Sequence, residues 1–228
     1  MLQLLRFFYI LLFASTIFAQ SKIVSRCEMN KAPALRDFTI GESVENINLV
    51  IPNFKLAYNK SKREAGMRDG SDGQLGFVML SSTDVFYQED GNQLKKIVPD
   101  EKFSDVNFMW HFLDDKLSFI AVDYDEFDPP NIKDFVHQVA EKTRLPLKGW
   151  VFKDKYTAVL KCVGFNVDVW MGKYVDRPLY KVSPTVMITD TMADAELNKR
   201  RKEMVQRKKT EERERLRREK ERKAVFKP

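Results

Sequence analysis

The sequence predicts an α+β fold: a mostly antiparallel sheet carrying one or two packed helices, followed by a long charged C-terminal helix. Three observations predict it. Short apolar runs rich in β-formers recur between turn signals through the middle of the chain. One segment alone among them, 131–143, has clean helical periodicity. From 191 to 223 there is neither glycine nor proline, and the composition turns to Glu, Lys and Arg.

The sheet elements come in order. Residues 75–87 (LGFVMLSSTDVFY) read as strand, and the Glu89-Asp90-Gly91-Asn92 turn leads to a hairpin partner at 94–98. Val106, Phe108, Trp110 and Phe112 alternate on one face. Asp114-Asp115-Lys116 turns the chain, and 117–124 returns. Asp128-Pro129-Pro130 then stops the strand and opens the helix. Its face is Ile132, Phe135, Val136 and Val139, its cap is Asp128 or Asn131, and Leu145-Pro146 ends it. Residues 148–152 form a short strand and Asp154-Lys155 a turn. Residues 156–170 form a longer strand with Gly164 as a bulge. Pro178 and Pro184 make 174–188 an edge strand or a draped segment.

Two stretches are less decided. Residues 44–58 fit a helix through Val44, Ile47, Val50 and Ile51 and a strand through Ile47, Leu49 and Ile51, while Pro52 argues against one continuous helix. The polar run 60–73 (KSKREAGMRDGSDG) reads as a charged, glycine-bearing loop. The domain plan is therefore 1–19 leader, 20–43 N-terminal linker with Pro33 and Gly41 as breakers, 44–190 α+β core and 191–228 charged tail.

The N-terminus has the layout of a signal peptide. MLQLLR supplies Arg6 and the amine, and thirteen uncharged residues (FFYILLFASTIFA) end at Ala19, a small residue before a cleavage point. The stretch is short for a span of the hydrocarbon core, so removal is favoured over a single-pass membrane anchor, the alternative that arises if Leu2, Leu4 and Leu5 join the run. The expected setting is therefore secreted or the endoplasmic-reticulum and secretory lumen, whereas in the anchor alternative Lys22, Arg26 and Lys31 favour a cytoplasmic side for the rest of the chain. Asn59-Lys60-Ser61 is a glycosylation sequon. Cys27 and Cys162, the two cysteines, permit one disulfide whose long loop contributes about 4–5 kcal/mol in the chain-entropy description.

Net charge is +6, but residues 1–190 hold 24 basic and 25 acidic side chains and 191–228 hold 15 and 8. The basic character belongs to the tail, and a nucleic-acid-binding core is disfavoured. Thr191-Met192-Ala193-Asp194 has capping-box spacing at the tail's entrance. Glu196→Arg200, Glu203→Arg207, Glu211→Arg215, Glu214→Arg218 and Glu219→Lys223 are Glu-before-base pairs at i,i+4, each contributing roughly 0.2–0.5 kcal/mol. Leu197 and Met204 lie seven apart, but the register continues to Glu211 and Arg218, so no zipper is expected. Candidate polyanion contacts are Lys199, Arg200, Arg201, Lys202, Arg207, Lys208, Lys209, Arg215, Arg217 and Arg218. The last closes a dibasic run that would suit proteolytic processing.

Catalytic and metal chemistry find little purchase. His111 and His137 fall in separate elements without zinc-ligand spacing. The acidic turn 123–128 lacks the glycine and glutamate of an EF-hand. The loop 69–73 lacks the lysine of a phosphate-binding loop. Cys162 as a nucleophile competes with its disulfide role. No catalytic residue, metal ligand or cofactor is expected. The expectation is a secreted or lumenal, non-enzymatic binding protein with a protein or glycan partner and a tail that contacts polyanions. The alternatives are a small secreted hydrolase or inhibitor-like domain, and a signal-anchored subunit with an interaction helix.

Overall fold

A computed structural model describes Cys27 and residues 31–68, 70–90, 93–96, 101–124, 127–172 and 183–225. The predicted leader, 1–19, lies outside them. In chain order the elements are β1 (Ala34–Leu35), β2 (Phe38–Thr39), α1 (Val44–Val50), α2 (Phe54–Met67), β3 (Phe77–Ser81), α3 (Ser82–Phe86), β4 (Tyr87–Asp90), β5 (Gln93–Lys96), β6 (Val106–Leu113), β7 (Lys116–Tyr124), α4 (Ile132–Thr143), β8 (Val151–Phe152), β9 (Thr157–Lys161), β10 (Phe165–Trp170), β11 (Thr185–Asp190) and α5 (Thr191–Val225).

Seven strands form one antiparallel sheet in the order β3-β6-β7-β11-β10-β9-β8, with β4-β5 as a separate hairpin. The fold is α+β, as the alternating aromatic pattern of β6 implies. Because paired residues share a face, Leu80, Trp110, Ile120, Ile188 and Val167 line up across one side of the sheet and are buried there. Against that side pack α1, α2, α3, α4 and the β1–β2 hairpin. Its centre is aromatic: Trp110 meets Phe38, Phe54, Phe86 and Phe108 with ring centroids 4.9–6.1 Å apart, mostly edge to face.

Several local expectations change. Residues 44–67 are two helices, broken where Pro52 lacks the N–H that would continue α1 and where Asn53 takes φ 69°. The stretch 60–67, expected as loop, completes α2. Its charged residues face solvent while Phe54 and Tyr58 at i,i+4 bury the opposite face. Residues 82–86 leave the strand for a helical turn closed by a capping box between Ser81 and Asp84. Gly164, expected as a bulge, has φ 86° in the tight turn that separates β9 from β10. β11 is central, between β7 and β10, and not an edge strand: Pro184 immediately precedes it and so removes no donor from its ladder. Cys27 and Cys162 form a disulfide with Cα atoms 4.4 Å apart, tying residue 27 to the end of β9.

The segment 20–43 contributes to the core as well. Leu35, Phe38 and Ile40 are buried from it, and Arg36 and Asp37 form the two-residue turn of its hairpin at positive φ. Phe38→Ala therefore opens a cavity beside Trp110 and lowers stability by about 3–5 kcal/mol in chemical denaturation. A loss below about 1 kcal/mol would place this segment outside the cooperative core.

Candidate functional site: the projecting charged helix

The second face of the sheet carries Phe77, Met79, Met109, His111, Phe119, Met187 and Thr189, and α5 lies across part of it. Met79 and Met109 stay exposed beyond its edge. The helix begins directly from β11. Asp190 caps it, its Oδ1 accepting from the N–H groups of Met192 and Ala193 at 2.8 and 3.0 Å, so the cap lies one residue before the expected Thr191. The Thr191 N–H instead donates to the Gly164 carbonyl at 3.0 Å. Leu197 and Met204, one heptad apart, are the buried anchors.

Two arginines fasten this first third of the helix. Arg200 donates to both carboxylate oxygens of Asp114, at 2.9 and 2.7 Å, and to the Leu75 carbonyl at 2.8 Å. Arg201 donates to both oxygens of Asp72, at 2.9 and 2.5 Å, with its guanidinium 6.0 Å from the Phe77 ring centre. These donors hold the Asp72 and Asp114 carboxyls below the usual range, the arginine hydrogen bond being the main cause in each. Asp72 opens a single turn of 3₁₀-helix at Asp72–Leu75, which starts at the end of the stretch expected as a loop and takes in Leu75, expected as strand. Gly76, at φ 81°, makes room for the Asp114 pair, since a Cβ there would lie 2.4 Å from Asp114 Oδ1.

The adjoining Asp115 faces the opposite side of the sheet. It accepts from Lys62 Nζ and from the Tyr58 hydroxyl at 2.6 Å, and it too is held low, first by Lys62 and then by Tyr58. Burial, reinforced by this bond, raises the Tyr58 phenol. Asp114 and Asp115 both have positive φ, 50° and 64°, in the two-residue turn between β6 and β7. That turn therefore fastens α5 on one side and α2 on the other.

Met204 is the last buried residue of the helix, Lys208 still reaches Gly70, and residues 205–223 are all exposed. This is where the apolar register gives way to Glu211 and Arg218. Nineteen such residues extend about 28 Å at 1.5 Å each. Ion pairs along the helix join Glu196 to Arg200 at 3.0 Å, Arg207 to Glu211 at 4.0 Å, Arg218 to Glu214 at 3.9 Å, Arg217 to Glu221 at 3.6 Å and Lys223 to Glu219 at 2.7 Å. Of the expected polyanion contacts, Arg200 and Arg201 are thus engaged with the core. Lys199, Lys202, Arg207, Lys208, Lys209, Arg215, Arg217 and Arg218 lie exposed, the proposed processing position among them. Arg213, Lys220 and Lys223 were not among the expected polyanion contacts, yet they sit on the same exposed rod. The signal that identifies them is the spacing of the acids around the helix, not the density of basic runs.

The other candidate residues are scattered. Asn59 is exposed on α2. His137 is exposed and 3.5 Å from Glu141. Cys162 sulfur is committed to the disulfide and is no nucleophile. Asp123 accepts from the Thr185 hydroxyl at 2.6 Å, and Asp125 and Glu126 lie outside the described residues. No group of three potential ligands for a metal occurs among the described residues. A cavity of about 230 Å³ lies between α4 and the end of β7, with Tyr124, Phe127, Phe135 and Val139 as walls and Arg36, Lys142 and Asp105 at its rim.

His111 lies beneath α5, stacked on Phe119 at 4.3 Å, with Nε2 buried and unpartnered among the described residues. Burial, assisted by the charge of Arg201, pushes its imidazole down to about 4. Its folded value is depressed, so the unfolded chain binds the extra proton between about pH 6.5 and 4. The contribution is complete above that window and disappears as pH falls through it.

Two outcomes follow for this anchorage. A double-mutant cycle of Arg200→Ala and Asp114→Asn gives a coupling of about 1 kcal/mol, modest because both groups are partly solvated, with faster amide exchange confined to residues 191–204. His111→Gln flattens the fall in stability between pH 6.5 and 4 but leaves the fall below pH 4, where Asp72, Asp114 and Asp115 protonate. An unchanged profile would mean that His111 does not titrate against the fold. No protein-family model, curated protein or solved structure matches this chain.

Proposed function

We propose that the protein is a non-enzymatic binding protein of the secretory lumen or extracellular space, in which the α+β domain is a rigid mount for a basic helix that contacts polyanions. The observation that carries this reading is the division of α5. Residues 191–204 are seated by Leu197, Met204, Arg200 and Arg201, while 209–223 project beyond Lys208, which still reaches Gly70, with eight basic and five acidic side chains. An extension without function needs no such mount, whereas a contact surface gains from being held at a defined angle.

The disulfide supports the compartment, because such bonds persist where the surroundings are oxidising. Among the described residues no helix is long and apolar enough to cross a membrane. Under this reading the segment 1–19 is a removed leader and Asn59, exposed on α2, carries a glycan. The partner is then a glycan or a protein with an anionic surface, and nucleic acid is disfavoured by location.

A second reading, in which the domain itself takes a small ligand, rests on the aromatic cavity beside Tyr124. At about 230 Å³ it falls below the usual range of about 300–1,000 Å³ for ligand pockets, so the helix carries the primary reading.

Immobilised heparin tests the primary reading. The intact chain is retained in a salt-dependent way. Deletion of 205–228 removes that retention and changes the thermal midpoint by no more than about 2 °C, because the buried anchors remain. Equal retention of the deleted protein would refute it.

A further inference from the structure

Resting on the reading of α5 as a polyanion contact, we infer that one stripe of this helix is the binding surface and that its partner is an extended, sulfated polysaccharide chain laid along the helix axis.

At 3.6 residues per turn, successive side chains are about 100° apart around the axis. Placed on that wheel, Lys202, Lys209, Arg213, Arg217, Lys220 and Lys223 fall within an arc of about 120°. Every acidic residue of the helix, from Asp194 to Glu221, falls outside it. The stripe runs about 32 Å at 1.5 Å per residue and points about 140° away from the buried line of Leu197 and Met204. It therefore faces solvent along its whole length. Lys202, Lys209, Arg213 and Lys220 take no ion pair among the described residues. On the opposite side Arg207 and Arg218 are paired with Glu211 and Glu214. One side of the helix is thus free of acids, although Arg217 and Lys223 at its margins reach Glu221 and Glu219 at 3.6 and 2.7 Å, and the other side interleaves acids with bases.

The geometry selects among polyanions. Glu203 and Glu221 flank the stripe on one edge and Glu212 on the other. A narrow chain with regularly spaced anions can follow the cations without meeting these carboxylates. A flat anionic bilayer brings them toward the surface together with the lysines. The stripe also lacks the apolar face by which a helix inserts into a lipid interface, since Val205 and Leu216 are its only large apolar members. The disulfide supports an oxidising setting, in which polysaccharides, and not nucleic acids, are the abundant polyanions.

The test compares two quadruple variants of the full-length chain with the same change in net charge. One neutralises the stripe (Lys209→Gln, Arg213→Gln, Arg217→Gln, Lys220→Gln). The other neutralises the mixed face (Arg207→Gln, Arg215→Gln, Arg218→Gln, Arg222→Gln). Circular dichroism establishes that both keep the helix, and heparin affinity is measured from about 50 to 300 mM NaCl. The stripe variant is expected to bind at least about tenfold more weakly, with a shallower dependence on salt, and the mixed-face variant to stay within about threefold of the parent. Equal losses in both would overturn the stripe while leaving the basic helix as a polyanion contact. Binding of the parent to phosphatidylserine vesicles but not to heparin would overturn the polysaccharide in favour of a lipid surface. Absence of parent binding to either would overturn both this inference and the reading on which it rests.

Discussion

The β6–β7 turn holds the architecture together because its two aspartates point to opposite sides of the sheet. With positive φ at both positions, the Asp114 carboxylate reaches Arg200 on α5 and the Asp115 carboxylate reaches Tyr58 and Lys62 on α2. Such partly exposed pairs are individually weak, each on the order of 1 kcal/mol or less. Their importance is geometric: both helices are fastened to one rigid two-residue loop between the two strands in the longest shared ladder of the sheet. The hydrophobic core supplies most of the stability on the α2 side. On the α5 side burial is limited to Leu197 and Met204, so directional bonds from Arg200 and Arg201 decide where the helix lies.

That imbalance explains how the tail changes role along its length. Over its first fourteen residues, apolar anchors recur at heptad spacing and the arginines have partners on the core. Beyond Met204 the same register meets Glu211 and Arg218, no further apolar residue is buried, and past Lys208, which reaches Gly70, the helix projects. Its persistence there depends on the absence of glycine and proline and on intrahelical pairs such as Glu219–Lys223. Charges that are neutralised at home do little for a partner. Those along the middle of the acid-free stripe, on Lys202, Lys209, Arg213 and Lys220, remain available, which is why position around the axis matters more than the total charge of +6.

The strands β6 and β7 and helix α4 were legible because their signals are local. Alternation in Val106, Phe108, Trp110 and Phe112, and the Asn131 cap before an apolar face, each need only a few neighbouring residues to be read. Residues 60–67 misled because a polar helix face looks like a loop when the buried partners, Phe54 and Tyr58, lie one turn earlier. The prolines near β11 misled in another way. They suggested an edge, but Pro184 lies just outside the ladder, and whether a strand is central depends on pairing with β7 and β10, fifteen or more residues away from it in sequence.

By itself the sequence determined the strand-rich core, the cysteine pair as a feasible bridge, the helical tail and the point where its apolar register stops, since all of these follow from composition, periodicity or spacing along the chain. Only the tertiary structure decided that residues 33–40 belong to the core, that β11 sits mid-sheet, and that Arg200 and Arg201 are anchors and not free cations. Each of those outcomes turns on which distant groups meet across the sheet. Asp72 and Asp114 lie more than eighty positions from the arginines they hold, and no pattern within the tail distinguishes a basic residue that has such a partner from one that does not.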